Sequence, residues 1–365
     1  MHRRSKTIIQ AALCAVISGA TIVCAHAGSP DPVPFEFALR AAPASSFTRE
    51  TAERLRRHRA ELGEVWTADA QADYDEYRRH YQFALDHHTV AAGSVMSNAG
   101  ESIFVQILRK SAVQRPDSRI VLFVHGYLDH TATNRYAIEA LLDSGATVIT
   151  LDLPGHGLST GRRAYIDDFA RYGQVVELVL VAVEETGLLG SQRLSGLTGI
   201  GHSTGASALL EHTERYDPRF SRLVFAAPLI RVFAFPVLRA GADIVGQFVT
   251  QLPDRISGST TNRTYIEFAE EYDHLRISHT DLRWFQSYLE WEESLSDMSE
   301  RTIPLLLVLA SDDTVVDSDY NEEFLQNLFT DIRVLTIPDV RHGVFTEQFT
   351  IESMVMNEIV RFALD

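Results

Sequence analysis

The chain has 365 residues, 45% of them hydrophobic and 22% charged, so it can bury a large core and is neither a disordered tract nor a fibrous repeat. Its formal net charge of −16 repels phosphate backbones and excludes nucleic acid as an expected partner. Both cysteines, Cys14 and Cys24, fall within the first 27 residues, so the rest of the chain can form neither a disulfide nor a thiolate metal site. A core of this size does not need them.

Met1-His2-Arg3-Arg4-Ser5-Lys6 is basic, residues 8–23 are largely apolar, and Ala25-His26-Ala27 is a small-residue cleavage pattern. Residues 1–27 therefore read as a secretory signal peptide. The expectation is an exported protein, periplasmic or secreted, whose mature chain starts near Gly28. Removing the three cations of that segment takes the formal charge from −16 to −19. An uncleaved anchor is the alternative, but the apolar stretch is shorter than the ~20 residues a spanning helix needs. A lipoprotein signal would want a smaller residue than Val23 before Cys24.

Residues 28–90 form an extension ahead of the main domain. Pro30, Pro32 and Pro34 predict an extended start, and residues 51–64 and 69–85 are predicted helices. Tyr74, Tyr77, Tyr81 and Leu85 recur at steps of three and four, an apolar stripe that would pack on the domain that follows. Residues 91–96 and 102–110, joined through Asn98-Ala99-Gly100, predict a β-hairpin.

Residues 119–124 then read as a buried strand that empties into His125-Gly126-Tyr127-Leu128-Asp129-His130. A loop leaving a central strand can aim backbone N–H groups at developing negative charge, with Tyr127 N–H and Thr204 N–H as the expected pair of donors. A second strand, 146–151, runs into the Pro- and Gly-rich turn Asp152 to Gly161, in which His156 has a glycine on each side. That setting suits a histidine that braces the loop better than a catalytic base. Gly201-His202-Ser203-Thr204-Gly205 lies between the apolar run ending at Ile200 and the helix-like run from Ala206. Strand, tight turn and helix in that order make a nucleophile elbow with Ser203 at its apex.

After a strand at 222–228, residues 229–300 have no place in a minimal sheet and are expected to form a cap over Ser203. Phe233, Phe235, Leu238, Ile244, Val245, Phe248 and Val249 are interrupted by Arg231, Arg239 and Asp243, which excludes a membrane span. Phe233, Phe235, Leu238 and Phe248 are candidate acyl-chain contacts, while plain packing of cap on core is the competing reading. Trp284, Phe285 and Trp291 carry the same ambiguity. The apolar strand 302–309 leads to Asp312, Asp313 and Asp317, any of which could orient an imidazole. A last strand at 332–337 is followed by His342, the only histidine after that cluster, which completes the chain order Ser, Asp, His.

These segments together, with Asp129-His130 and Arg135-Tyr136 behind the first loop, resemble the monoglyceride lipase, lysophospholipase and serine aminopeptidase-like group of α/β-hydrolases from about Ile120 to Asp365. The resemblance implies an α/β-hydrolase fold: a mostly parallel sheet with helices on both faces, split as residues 91–228 and 301–365 around the cap at 229–300. It also implies Asp313 as the acid, with Asp312 second, because the group's acid falls at the fourth place of a tetrapeptide like Ala310-Ser311-Asp312-Asp313. The sequence departs from the group's pattern in a longer loop between His130 and Arg135, and in Ala206 where a second elbow glycine is frequent. The expected activity is hydrolysis of a small, lipid-like carboxylic ester through Ser203, Asp313 and His342. No cofactor and no metal are expected. A peptidase or amidase using the same triad is the alternative, and a binding protein that lost turnover stands behind it.

Overall fold

The computed structural model describes residues 46–364 except 59, 111–118, 191–193, 246–249 and 255. Residues 1–27, read as a signal peptide, the predicted extended start at Pro30, Pro32 and Pro34, and Phe248 lie outside the described residues. The strands are β1 (His88–Met96), β2 (Ser102–Arg109), β3 (Ile120–Val124), β4 (Thr147–Leu151), β5 (Leu197–His202), β6 (Phe220–Ala226), β7 (Gln251–Pro253), β8 (His279–Asp281), β9 (Leu305–Ala310) and β10 (Ile332–Ile337). The helices are α1 (Arg49–Arg57), α2 (Ala68–Tyr81), α3 (Arg135–Asp143), α4 (Arg171–Thr186), α5 (Thr204–Arg215), α6 (Phe235–Val245), α7 (Arg263–Glu271), α8 (Leu282–Ser294), α9 (Ser318–Leu328) and α10 (Phe349–Leu364).

Eight strands make one sheet in the order β1-β2-β4-β3-β5-β6-β9-β10. The hairpin β1-β2 joins it antiparallel through β4, and from β4 onward every pairing is parallel. A parallel sheet is covered on both faces, which is why β3 and β9 are apolar at every position and β4 is interrupted only by the buried Thr147 and Thr150. Successive residues still point opposite ways. In β3, Leu122 and Val124 pack with Val176, Leu180 and Leu209 of α4 and α5, whereas Val121 and Phe123 pack with Ile138 and Leu141 of α3 and Ile359 of α10. The fold is thus an α/β-hydrolase sheet with helices on both faces.

The extension joins the second of these cores through Tyr74, Tyr77 and Tyr81, each at most 3% exposed. Two predicted boundaries shift. The first helix stops at Arg57 rather than 64, because the chain straightens to pair with the sheet: Leu62 N donates to Ser94 O and Ser94 N to Ala60 O. The second stops at Tyr81, where Gln82 turns left-handed at φ 49°. Leu85 therefore leaves the stripe and is 50% exposed. Between β6 and β9 the chain forms α6, α7, α8 and the two-stranded sheet β7-β8. No helix among the described residues is long and apolar enough to cross a membrane.

Candidate active site

The carboxyl ends of β3, β5, β9 and β10 converge on one cavity, the usual place for a site in an open α/β sheet. Ser203 sits between β5 and α5 at φ 50° and ψ −116°, a strained conformation for a residue with a side chain. Its neighbours make room for the turn. A Cβ on Gly201 would lie 2.4 Å from Ala206 N, and one on Gly205 would lie 2.1 Å from Val124 O. Both obstacles are backbone, so the tight turn requires glycine at these two positions. Ser203 N donates to Ala226 O at 2.9 Å, which ties the apex to the neighbouring strand.

Ser203 Oγ lies 2.9 Å from His342 Nε2, and His342 Nδ1 lies 2.8 Å from Asp313 Oδ2. With the carboxylate ionised, Nδ1 donates to it and Nε2 is free to accept the Ser203 hydroxyl proton. Asp313 Oδ1 is itself held by Val315 N at 2.8 Å and Val316 N at 3.0 Å, which fixes the carboxylate plane. The other aspartates are occupied elsewhere. Asp312 is exposed and accepts from the Ser311 hydroxyl at 3.0 Å, and Asp317 caps α9 by accepting from Tyr320 N at 3.2 Å.

Gly126 brings the first loop against the elbow: a Cβ there would lie 3.2 Å from Ser203 Cβ. Tyr127 and Thr204 line the cavity beside Ser203. The Tyr127 ring stacks on Trp284 of α8 at 3.7 Å, and its hydroxyl donates to Ala164 O at 2.8 Å, so the loop is held both by the insertion and by the segment after β4. His125 fastens its other side, accepting from Leu153 N at 2.9 Å through Nε2 while Nδ1 donates to Gly126 O at 2.7 Å. Burial depresses the His125 pKa and keeps it in that neutral form. His156 braces its own turn, Nδ1 donating to Pro154 O at 2.8 Å, and is likewise held neutral by burial. One positioning contact carries no sequence signal. His202 Nε2 donates to the His342 backbone O at 3.0 Å, and burial followed by the neighbouring His342 depresses the His202 pKa to about 4.

The cavity, of about 150 Å³, has an apolar wall and a polar wall. Leu229, Val232, Leu238, Trp284, Phe285 and Val315 form the first. Of the four candidate acyl contacts, Leu238 is there. Phe235 instead packs under the Arg231 guanidinium at 4.8 Å, and Phe233 is 45% exposed on the outer surface; neither lines the cavity. Phe233 and Phe235 are displaced because α6 begins at Phe235, so that its inward face falls on Leu238. Trp284 and Phe285 take their place, whereas Trp291 is spent on structure, donating Nε1 to Glu211 at 2.8 Å. The polar wall contains Asp129, Asp254, Asp273 and Arg276. Among the described residues no three His, Cys, Asp or Glu side chains gather to hold a metal ion.

A family model described as Hydrolase_4, serine aminopeptidase S33, matches residues 115–348. Among curated proteins, the chain is 25% identical over 207 residues to phospholipase YtpA of Bacillus subtilis, covering 54% of this chain and 77% of that one. It is 27% identical over 137 residues to a monoacylglycerol lipase of Mycolicibacterium smegmatis, covering 37% and 47%. Among solved structures, a soluble variant of monoglyceride lipase from Saccharomyces cerevisiae superposes with a TM-score of 0.60 at 18% identity, over 74% of this chain and 92% of that one. Paleococcus ferrophilus monoacylglycerol lipase gives 0.59 at 20% identity, over 72% and 98%. At these identities the structural likeness concerns the fold.

Proposed function

The chain belongs to the serine aminopeptidase S33 (Hydrolase_4) family, and from that premise we propose that it is a serine hydrolase cleaving carboxylic esters of lipid-like substrates, monoacylglycerols or lysophospholipids. The observation that carries this reading is the relay Asp313–His342–Ser203 at 2.8 and 2.9 Å, opening on a cavity with an apolar wall. The phospholipase and the monoacylglycerol lipase among its relatives support the same substrate class.

Ser203 Oγ attacks the ester carbonyl as its proton passes to His342 Nε2, and Asp313 stabilises the imidazolium. The N–H groups of Tyr127 and Thr204 hold the oxyanion of the tetrahedral intermediate. On collapse the C–O bond to the alcohol breaks, Nε2–H protonates that oxygen, and an acyl-enzyme remains on Ser203. Water then attacks with His342 as base, releasing the acid and restoring the serine. The alkyl chain lies along Leu229, Val232, Leu238 and Phe285. The enzyme acts after export, with a mature chain starting near Gly28; the basic start, the apolar stretch and Ala25-His26-Ala27 support this.

A fluorophosphonate probe should label the protein at Ser203, and a panel of esters and aminoacyl amides should show the esters turned over faster. Faster cleavage of the amides would select the peptidase alternative, and an unlabelled, inert protein would mean the fold serves binding alone. Mass spectrometry of the exported protein should find its N-terminus near residue 28. Full-length protein confined to the cytoplasmic fraction would overturn the export reading.

A further inference from the structure

The family match begins at residue 115, yet a residue well before it reaches the cavity wall. Tyr81, the last residue of α2, donates its hydroxyl to Asp273 Oδ1 at 2.7 Å. Asp273 lies just after α7 and lines the cavity. Its Oδ1 is saturated, accepting also from Leu275 N at 2.9 Å and Arg276 N at 3.0 Å, with His130 Nε2 at 3.2 Å. Among the described residues its Oδ2 takes only the long contact to His130 at 3.3 Å, which leaves acceptor capacity on a carboxylate that is 4% exposed. Burial alone would push the Asp273 carboxyl up, but the His130 charge and the hydrogen bonds from His130 and Tyr81 outweigh it and hold it down at about 2. The His130 pKa moves the opposite way: burial opposes its charge, and the Asp273 carboxylate outweighs burial and raises it. Each thus favours the charged form of the other across the buried 3.2 Å contact.

Beside them Arg276, also in the wall, is short of acceptors. Among the described residues its Nε is buried without a hydrogen-bond partner, and its Nη2 makes only long contacts, to Asp254, 3.4 Å to the carbonyl and 3.6 Å to the carboxylate. A carboxylate oxygen with spare acceptor capacity beside a guanidinium with spare donors suits a group that both donates and accepts. A hydroxyl does both. A phosphate would satisfy Arg276 but would face the carboxylates of Asp129, Asp254 and Asp273, and an ammonium group would leave the Arg276 donors unmet.

We propose that this wall is the subsite for an uncharged, hydroxyl-bearing alcohol portion of the ester, with Asp273 and Arg276 as its contacts and Tyr81 of the N-terminal extension as the positioning residue that fixes Asp273. The proposal rests on the ester-hydrolase reading and adds its head-group selectivity. Tyr81 is suited to the task because its ring is locked among Phe47, Tyr77, His130 and Phe268 at 5.0 to 5.8 Å. Removing the hydroxyl alone therefore frees the carboxylate without emptying the packing site.

The test compares a 1-monoacylglycerol with the methyl ester of the same acid, in the full chain and in Tyr81→Phe and Asp273→Asn. Each variant should lower the ratio of kcat/KM for the glyceryl ester to that for the methyl ester by about tenfold, chiefly through the KM of the glyceryl ester. Equal losses on the two esters would show that Tyr81 and Asp273 only support the fold. A wild-type enzyme that prefers the matching lysophosphatidic acid or lysophosphatidylcholine to the glyceryl ester would overturn the hydroxyl assignment. A wild-type protein inert on both esters and unlabelled by fluorophosphonate would instead mark failure of the ester-hydrolase reading itself.

Discussion

Asp313 and His342, 29 residues apart in the chain, meet at 2.8 Å through Oδ2 and Nδ1, whereas Asp312 next to it faces solvent. The difference arises at the end of β9, where Asp313 N bonds back to Ala310 O and Val315 N and Val316 N turn toward the carboxylate. Asp313→Asn keeps the shape but inverts the hydrogen bond to Nδ1, so His342 would be held in the wrong tautomer. It should lower kcat by about 10⁴-fold. Asp312→Asn should stay within about twofold. Steady-state kinetics on a chromogenic ester decide it, and the reverse ranking would refute the assignment of the acid.

In the proposed mechanism Ser203 and His342 act through one proton transfer, so removing either would remove the step. Ser203→Ala and His342→Ala should each lower kcat by about 10⁶-fold with the fold intact by circular dichroism, and the double variant should be scarcely worse than either. Multiplicative losses in the double variant would mean that the two side chains contribute independently.

The apolar wall should read acyl length. Burying an alkyl chain is worth ~0.8 kcal/mol per CH₂, or about fourfold in kcat/KM for each added methylene until the pocket is full. p-Nitrophenyl esters from acetate to medium chains should show that rise. Phe285→Leu, which alters the wall, should shift the plateau, whereas Phe233→Ser on the outer surface should leave the profile within about twofold. A flat profile in the wild type, or an equal response to the two substitutions, would leave the wall without a role in binding.

Glu352 of α10 is 4% exposed, and burial, relieved in part by Arg135 and reinforced by Glu347, raises its pKa to about 9. The folded chain therefore holds this proton at pH values where the unfolded chain has released it. Between the ordinary carboxyl range and about pH 9, stability falls as pH rises. Glu352→Gln removes the titration while keeping a neutral side chain of the same shape. The melting temperature of the variant should exceed that of the wild type by a margin that widens from pH 5 to pH 9, each kcal/mol recovered showing as about 2–4 °C. A margin that is constant or narrows with pH would show that Glu352 is ionised in the folded protein.

Much of this architecture was legible in the sequence because the signals are local. Apolar runs bounded by Gly, Pro and Asp mark β3, β4 and β9, and the glycines at 201 and 205 announce a turn that only glycine can make at those contacts, 2.4 and 2.1 Å from backbone. The spacing of Tyr74, Tyr77 and Tyr81 likewise marked one face of a helix, since that face follows from the helical period alone. Element ends were less legible: α1 stops at Arg57 because residues 60–62 find hydrogen-bond partners on Ser94, which is distant in sequence.

What only the tertiary structure decided is which of several chemically equivalent side chains faces the site. Periodicity and spacing do not distinguish the carboxylates of Asp312 and Asp313, one residue apart; only the resemblance ranked Asp313 first, and the contact itself arises where the chain after β9 folds back on that carboxylate. Phe233 and Phe285 are equally apolar, but Phe233, two residues ahead of α6, faces outward, whereas α8 carries Phe285 into the cavity. The contact of Tyr81 with Asp273 spans 192 residues and joins two segments whose local patterns contain no reference to each other. Periodicity and turn chemistry are short-range properties of a chain. Which side chains meet across such distances is set by how whole elements dock, and that is determined only when the two cores close on both faces of the sheet.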